Sequence, residues 1–531
     1  MKKFLRLIQL MTLSMVVVLS SCNSEEDEAY LKNSTRFNML SSVDNLMLVG
    51  SIDLVGLIEK SDFENNKDAP FEATAGFKML VKGNIDPELT GIDITGNNHF
   101  AMSMKDEEPD YILYTAKITN QEKVKKTLKD LNVFKGDYKK EEVGSRVYEY
   151  LSDKDMTVGW DDKDIVIVVG RKIDTEKKVK ELLKARFVDA KENVPLDDYL
   201  KQVDDMNVFV NIETAMTIAK NSKEGKNVTK EMLDMSKGAY YIGTGNFNKG
   251  EIVYEMNIFG EKLKGSKYNA IGENPVSDSF MKYLTNDKLI AFGTASINME
   301  ALFNAVYMAD NKEFDMKEVE DATGMNKQEL SEILTGEFSL CLQDVISEKV
   351  SYASLEDMED DFFDEEMYTY NTEKPIVVFA AGVSDTTKIG SLLREKGKVE
   401  VMNGVYKADK DAYIVFSDKK MIVTTDEVTA NFFASGNTYT SYTLPAASSL
   451  DKPLYGFYNT DVTKMPNGFL KMAETEEGQM ALEFANLFEL VDFHGDFNKM
   501  SFTVKMKNKS DNALKVITDY VLSVVKDKNI M

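Results

Sequence analysis

Cysteine is almost missing from this chain: Cys22 and Cys341 are the only two among 531 residues. Two thiols that far apart exclude a disulfide-stapled scaffold and every CxxC spacing. Histidine is equally scarce, with only His99 and His494. Any Ser-His-Asp or Cys-His site must therefore use one of these two. HExxH is absent as well, so a zinc site would have to lean on carboxylates, and no metal ligand set is assigned. No Walker loop and no GxSxG elbow occur. Gly243-Thr244-Gly245 lacks the third glycine of a nucleotide fingerprint and leads into a hairpin-like stretch, so no cofactor is expected. Trp160 is the sole tryptophan, which argues against a broad carbohydrate-stacking surface and for a packing role.

Positive charge is also in short supply, with 64 Lys and Arg against 89 Asp and Glu. A surface of that balance repels nucleic acid and anionic membranes, so no nucleic-acid partner is expected. Long apolar runs are confined to the N-terminus. There, Lys2, Lys3 and Arg6 precede an apolar stretch over residues 7–19, which ends in Leu19-Ser20-Ser21-Cys22. A charged start, an apolar centre and small residues before a cut are the parts of a secretory signal. The stretch is too short and too interrupted by Gln9, Thr12 and Ser14 to span a bilayer as a helix.

The four residues ending in Cys22 form a lipobox, so residues 1–21 are expected to be removed and Cys22 to carry the lipid. Two or three acyl chains hold a protein on a membrane stably, where one binds reversibly. Removal takes away three basic residues, leaving 61 basic against 89 acidic groups, a net of −28. With Cys22 acylated, Cys341 is left without a partner and is expected to be a small buried apolar residue.

The remaining 510 residues exceed what one core usually holds, and the chain repeats itself. Residues 42–50 recur as 285–293, and Glu88-Leu89 as Glu329-Leu330. Residues 111–119 recur as 376–384, Val147-Tyr148 as Val405-Tyr406, 160–166 as 416–422, and 246–249 as 496–499. Anchors kept in this order predict two tandem related units, 36–262 and 280–531, joined by a polar linker, 263–279, and preceded by an acidic tether, 22–35. Each reads as α+β, mainly antiparallel sheet with short packed helices. Asp86 and Asn326 look like helix N-caps, with Pro87 in the first turn. At the C-terminus, Leu514, Ile517, Val521 and Val524 predict an amphipathic helix closing the second unit.

The second unit carries an acidic insertion, 356–373. Residues 356–366 hold eight carboxylates around Met358, Phe362 and Phe363. A solvated loop is one reading. A partner-docking loop anchored by Phe362 and Phe363 is another, and a calcium site, although without EF-hand spacing, is the third. His99 aligns with Glu337 or Ser339, and His494 with Thr244, so neither histidine belongs to a site repeated in both units.

Directly after Cys22, residues Asn23-Ser24-Glu25-Glu26-Asp27-Glu28 are similar to the serine-plus-acidic signal that carries lipoproteins of Bacteroidales-type bacteria to the outer face of the outer membrane. Together with the lipobox and the two-unit body, the chain resembles a family of Bacteroidales lipoproteins classed as a domain of unknown function. That resemblance implies an outer-membrane lipoprotein at the cell surface, with the periplasmic face as the other location, and lends no catalytic residues. The expected role is non-enzymatic binding of a protein, peptide or glycan. The alternative is a carboxylate-dependent hydrolase acting on glycan or peptide in a cleft between units.

Overall fold

The computed structural model describes residues 35–67, 87–93, 98–105, 108–130, 138–143, 146–153, 155–185, 194–221, 228–264, 269, 271–272, 274–283, 289–308, 325–351, 369–396, 400–409, 412–439, 451–465, 470 and 476–527. It is mixed helix and strand with extensive antiparallel sheet. The chain gathers into two compact units, Met1–Lys264 with Asn508–Met531, and Gly265–Lys507.

In the first unit the strands are β1 (Leu46–Ile52), β2 (Ile92–Asp93), β3 (His99–Lys105), β4 (Glu108–Ile118), β5 (Tyr138–Val143), β6 (Arg146–Asp153), β7 (Met156–Trp160), β8 (Asp164–Val169), β9 (Met206–Asn211), β10 (Tyr240–Asn248) and β11 (Glu251–Phe259). They pair antiparallel in the order β11-β10-β9-β1-β3-β4-β8-β7-β6-β5, with β2 beside the end of β4. Alternation of side chains along each strand gives the sheet two apolar faces. Val49, Ala101, Leu113, Val168 and Phe209 face one core, closed by the helices Thr35–Ser41, Thr175–Ala185 and Val194–Leu200. Tyr114, Ala116, Val158 and Trp160 face another, closed by Val124 and Leu128 of the helix Gln121–Asp130. Between β7 and β8, Asp161 accepts from the backbone N–H groups of Lys163 and Asp164 and so closes the hairpin turn.

The C-terminal helix Ala513–Asp527 falls in this first unit, not in the second as its sequence position suggested. The reason is a set of polar contacts that periodicity does not encode. Asn512 Nδ2 donates to the Phe247 carbonyl at 2.6 Å, and the Gly250 N–H donates to the Asp511 carbonyl at 3.0 Å. Lys515 Nζ lies 3.4 Å from an Asp62 carboxylate oxygen, and Asn66 donates to Asp519. Of the expected stripe, Leu514, Ile517 and Val524 are half-buried and Val521 is exposed, while Ala513 and Leu522 outside it are buried.

The second unit contains β12 (Ala291–Ser296), β13 (Leu334–Ser351), β14 (Thr369–Val383), β15 (Glu400–Met402), β16 (Val405–Asp409), β17 (Ala412–Ser417), β18 (Lys420–Thr424), β19 (Leu454–Asn459), β20 (Phe488–Gly495) and β21 (Lys499–Met506). Their antiparallel order is β21-β20-β19-β12-β13-β14-β18-β17-β16-β15. Phe292, Cys341, Val378, Val415 and Phe457 face a core closed by the helix Glu427–Ala434 and the 3-10 turn Asp278–Tyr283. Val276 is buried in the same core. Part of the expected linker 263–279 is thus structural, because an apolar side chain flanked by polar ones still seeks burial.

Asn326 caps the helix Lys327–Ile333 through a capping box, its side chain accepting from the Glu329 N–H at 3.0 Å while Glu329 accepts from the Asn326 N–H at 2.9 Å. In the first unit, Pro87 opens the helix Pro87–Thr90, while Asp86 lies outside the described residues. β13 and β14 stay paired from Leu334↔Val383 out to Ser351↔Thr369, although β12 leaves β13 at Leu342 and β18 leaves β14 at Val378. A two-stranded ribbon therefore continues past its neighbours. The last five residues of the expected acidic insertion, 369–373, belong to β14, and the rest lie outside the described residues.

Candidate functional site

Directly opposed residues in an antiparallel pair project to the same face. In the first unit this places Thr244 of β10, Asn207 of β9, Ser51 of β1, His99 of β3 and Thr115 of β4 in one transverse row. All are buried, and Tyr199 from the helix Val194–Leu200 covers them. His99 Nδ1 lies 3.4 Å from the Tyr199 hydroxyl, and Asn207 Nδ2 donates to Ser51 Oγ at 3.2 Å. Burial pushes the Tyr199 phenol well above its ordinary value, with a Ser51 hydrogen bond opposing, so it stays a protonated donor. Thr115 Oγ1 and Asn207 Oδ1 find no hydrogen-bond partner among the described residues. No carboxylate stands in this row. The arrangement is a polar seam through a core, in which His99 is held by a phenol, not set as a base against a nucleophile.

The matching row of the second unit runs Ser501 of β21, His494 of β20, Tyr455 of β19, Thr294 of β12 and Ser339 of β13. Counted from the central strand, Ser339 holds the place of His99, and His494 holds that of Thr244. Here the residue types of a triad do meet, since Asp492 lies two positions from His494 on the same face of β20. Their separation is 3.7 Å from His494 Nδ1 to Asp492 Oδ1, beyond hydrogen-bond reach. Asp492 is instead in ion contact with Lys505, at 3.1 Å. The histidine is therefore not oriented as a general base.

A buried polar knot lies elsewhere and has no signature in the sequence. Asp205, 5% exposed, receives Lys60 Nζ at 2.5 and 2.6 Å, and its Oδ2 also accepts from the Phe247 N–H at 2.7 Å. The neighbouring Asp204 accepts from Asn246, and the Asp205 carbonyl accepts from the Asp53 N–H. The helix Leu54–Ser61, the start of β9 and the end of β10 are thereby tied at one point. A further charged group, Lys420, is buried with its ammonium 4.8 Å from the Phe280 ring centre and donates to the Asp418 carbonyl at 3.3 Å. Burial holds it below the usual lysine value, with the Asp418 and Glu337 charges opposing.

Cys341 is buried in the second unit's core, and Trp160 is fully buried beside Tyr138. Cys22, Phe362 and Phe363 lie outside the described residues. Among the described residues no group of three His, Cys, Asp or Glu side chains could hold a metal ion, and no helix is long and apolar enough to cross a membrane.

No family model and no curated protein matches the chain. A solved structure described as "Structure of crystal form I of TP0453" aligns with 46% of this chain and 81% of its own length, at 7% identity and a TM-score of 0.23. A likeness at that level carries no argument about fold or function.

Proposed function

We propose that the chain is a lipoprotein of the outer membrane, anchored through acylated Cys22, displayed at the cell surface and acting by binding a protein, peptide or glycan without catalysis. The observation that carries this reading is the lipobox Leu19-Ser20-Ser21-Cys22 behind a charged and apolar leader. The acidic stretch 23–28 supports surface display, and kinship with the uncharacterised Bacteroidales lipoproteins belongs to the same proposal. A non-catalytic role draws support from the two histidines, one enclosed beside Tyr199 and the other 3.7 Å from a carboxylate engaged with lysine.

We also read the two units as copies of one ancestral module. In support, the strand order of the first, with β1 between β9 and β3, recurs in the second with β12 between β19 and β13, and the agreement extends to β5 and β15 at one edge.

Mass spectrometry of the N-terminal peptide and protease shaving of intact cells test the proposal. A diacylated or triacylated peptide beginning at Cys22, with the body digested on unbroken cells, is expected. An unmodified Cys22 would overturn the anchor, protection from protease would move the body to the periplasmic face, and turnover of a peptide or glycan library by the purified chain would overturn the non-catalytic role.

A further inference from the structure

Three polar groups meet inside the apolar core that Trp160 and the helix Gln121–Asp130 share. Trp160 on β7 stands directly opposite Glu149 on β6, so both side chains project to the same face of the sheet. Tyr138, at the start of β5, brings its ring to 6.0 Å from the Trp160 ring. Val124 and Leu128 of the helix pack in the same cluster. Trp160 is fully buried and Glu149 is 8% exposed.

Glu149 is in ion contact through one of its two oxygens. Its Oε1 lies 3.9 Å from Lys125 Nζ, which also sits 4.1 Å from the centre of the Tyr138 ring. The other oxygen, Oε2, is buried, as are Trp160 Nε1 and the Tyr138 hydroxyl, and none of these three atoms has a hydrogen-bond partner among the described residues. Burial, with the Glu149 carboxylate beside it, holds the Tyr138 phenol well above its ordinary value, so it stays a protonated hydroxyl. Phenol and carboxylate thus lie side by side without closing a bond of their own. Buried polar atoms left unpaired are costly, and native cores pair nearly all of them with protein or with ordered water.

The chemistry of the three atoms selects the partner. An indole N–H only donates, and a carboxylate oxygen only accepts. Whatever joins them must accept at one end and donate at the other. A metal or ammonium ion has no lone pair to offer the indole. A simple anion has no proton to offer the carboxylate and is repelled by it. Water does both, and its second lone pair suits the Tyr138 hydroxyl. We propose that one ordered water is built into the first unit here, accepting from Trp160 Nε1 and Tyr138 and donating to Glu149 Oε2. It ties β5, β6 and β7 together beneath the helix. The site is particular to the first unit, since Phe416, which aligns with Trp160, has no N–H, and its ring packs edge-on against Tyr406 at 5.5 Å. This inference goes beyond the binding role proposed above and does not depend on the anchor.

Trp160 is the sole tryptophan, so the full-length chain isotope-labelled at the indole nitrogen gives one side-chain N–H resonance. A cross-peak from that proton to the water resonance, with the sign of a long-lived contact, is expected. It should persist in Glu149→Gln, whose amide oxygen still accepts, and in Tyr138→Phe, which removes the phenol as a relay of exchanging protons. In Glu149→Leu it should be lost. A high-resolution crystal structure gives a second readout if the leucine variant does not fold, with a density peak expected within hydrogen-bond distance of both Trp160 Nε1 and Glu149 Oε2. An indole proton without a water cross-peak, loss of the cross-peak in Tyr138→Phe, or its survival in Glu149→Leu would overturn the proposal. So would a crystal in which Trp160 Nε1 bonds directly to a side chain.

Discussion

Asn512 Nδ2 donates to the carbonyl of Phe247 at 2.6 Å, joining residues 265 apart in sequence. With the Gly250 to Asp511 bond and the Lys515 to Asp62 ion pair, it makes the C-terminal segment part of the first unit. Trp160, the sole tryptophan, is buried in that unit and reports on it alone. Asn512→Ala should therefore lower the denaturant midpoint of the tryptophan transition by the equivalent of about 1–2 kcal/mol, the loss of one partly buried hydrogen bond and its stranded carbonyl. Deleting residues 508–531 should lower it further. An unchanged Trp160 transition after deletion would mean that the helix serves the second unit.

The same helix shows where the sequence was readable and where it was not. Its amphipathic spacing announced a packed helix, but spacing cannot say what the helix packs against, and the deciding contacts are single polar bonds to Phe247, Gly250 and Asp62. Local signals fared better. Asn326 with Glu329 three residues on is a capping box in sequence and in space. At the β17 to β18 hairpin, Asp418 and Lys419 adopt positive φ, 47° and 56°, as a tight two-residue turn demands. The Lys60 to Asp205 knot was illegible because it joins a helix to a strand start 145 residues away, in residue types that are abundant everywhere in this chain.

That knot gives a second expected outcome. Lys60→Met leaves the Asp205 carboxylate 5% exposed with only the Phe247 N–H among the two groups it now accepts from. A buried pair broken from one side loses about 3 kcal/mol or more. Removing the charge as well, in Lys60→Met with Asp205→Asn, should recover at least part of that loss, since an amide oxygen still accepts from Phe247. A double-mutant cycle by urea denaturation measures the coupling, and strictly additive losses would show that the two side chains do not sense each other.

Acid sensitivity should arise between the β5 to β6 ribbon and the helix Thr175–Ala185. Lys180 lies 2.8 Å from Glu141 and 3.3 Å from Glu176, and Lys139 lies 2.7 Å from Glu176. The Lys180 hydrogen bond holds the Glu141 carboxyl below its ordinary 4.5, against burial, and the Lys139 hydrogen bond does the same for Glu176. A carboxylate with a depressed folded pKa contributes its full stability above the ordinary value of 4.5, and the contribution is lost as pH falls through the lower folded value. Lys180→Gln should therefore flatten the acid limb of the stability profile, leaving neutral-pH stability reduced only slightly because these groups are partly exposed. Melting temperatures taken from neutral to acid pH check the slope, and a parallel profile in the variant would place the acid sensitivity elsewhere.

The two glycines at the centre of the sheets make opposite predictions from the same substitution. A methyl group at Gly50 would lie 2.1 Å from Phe100 Cζ, forcing the ring from a face it shares with Tyr114 and Trp160, whereas at Gly293 the nearest atom among the described residues is the Tyr455 carbonyl oxygen, 3.8 Å away. Overpacking of a formed core typically loses about 1–3 kcal/mol, so Gly50→Ala should lower the Trp160-monitored midpoint by that order. Gly293→Ala should be neutral or stabilising by about 0.5 kcal/mol, because alanine restricts the unfolded chain more than glycine does. Shrinking the obstructing ring, in Gly50→Ala with Phe100→Leu, should recover part of the first loss. If Gly50→Ala were instead tolerated as well as Gly293→Ala, Phe100 would not be a fixed plug over β1.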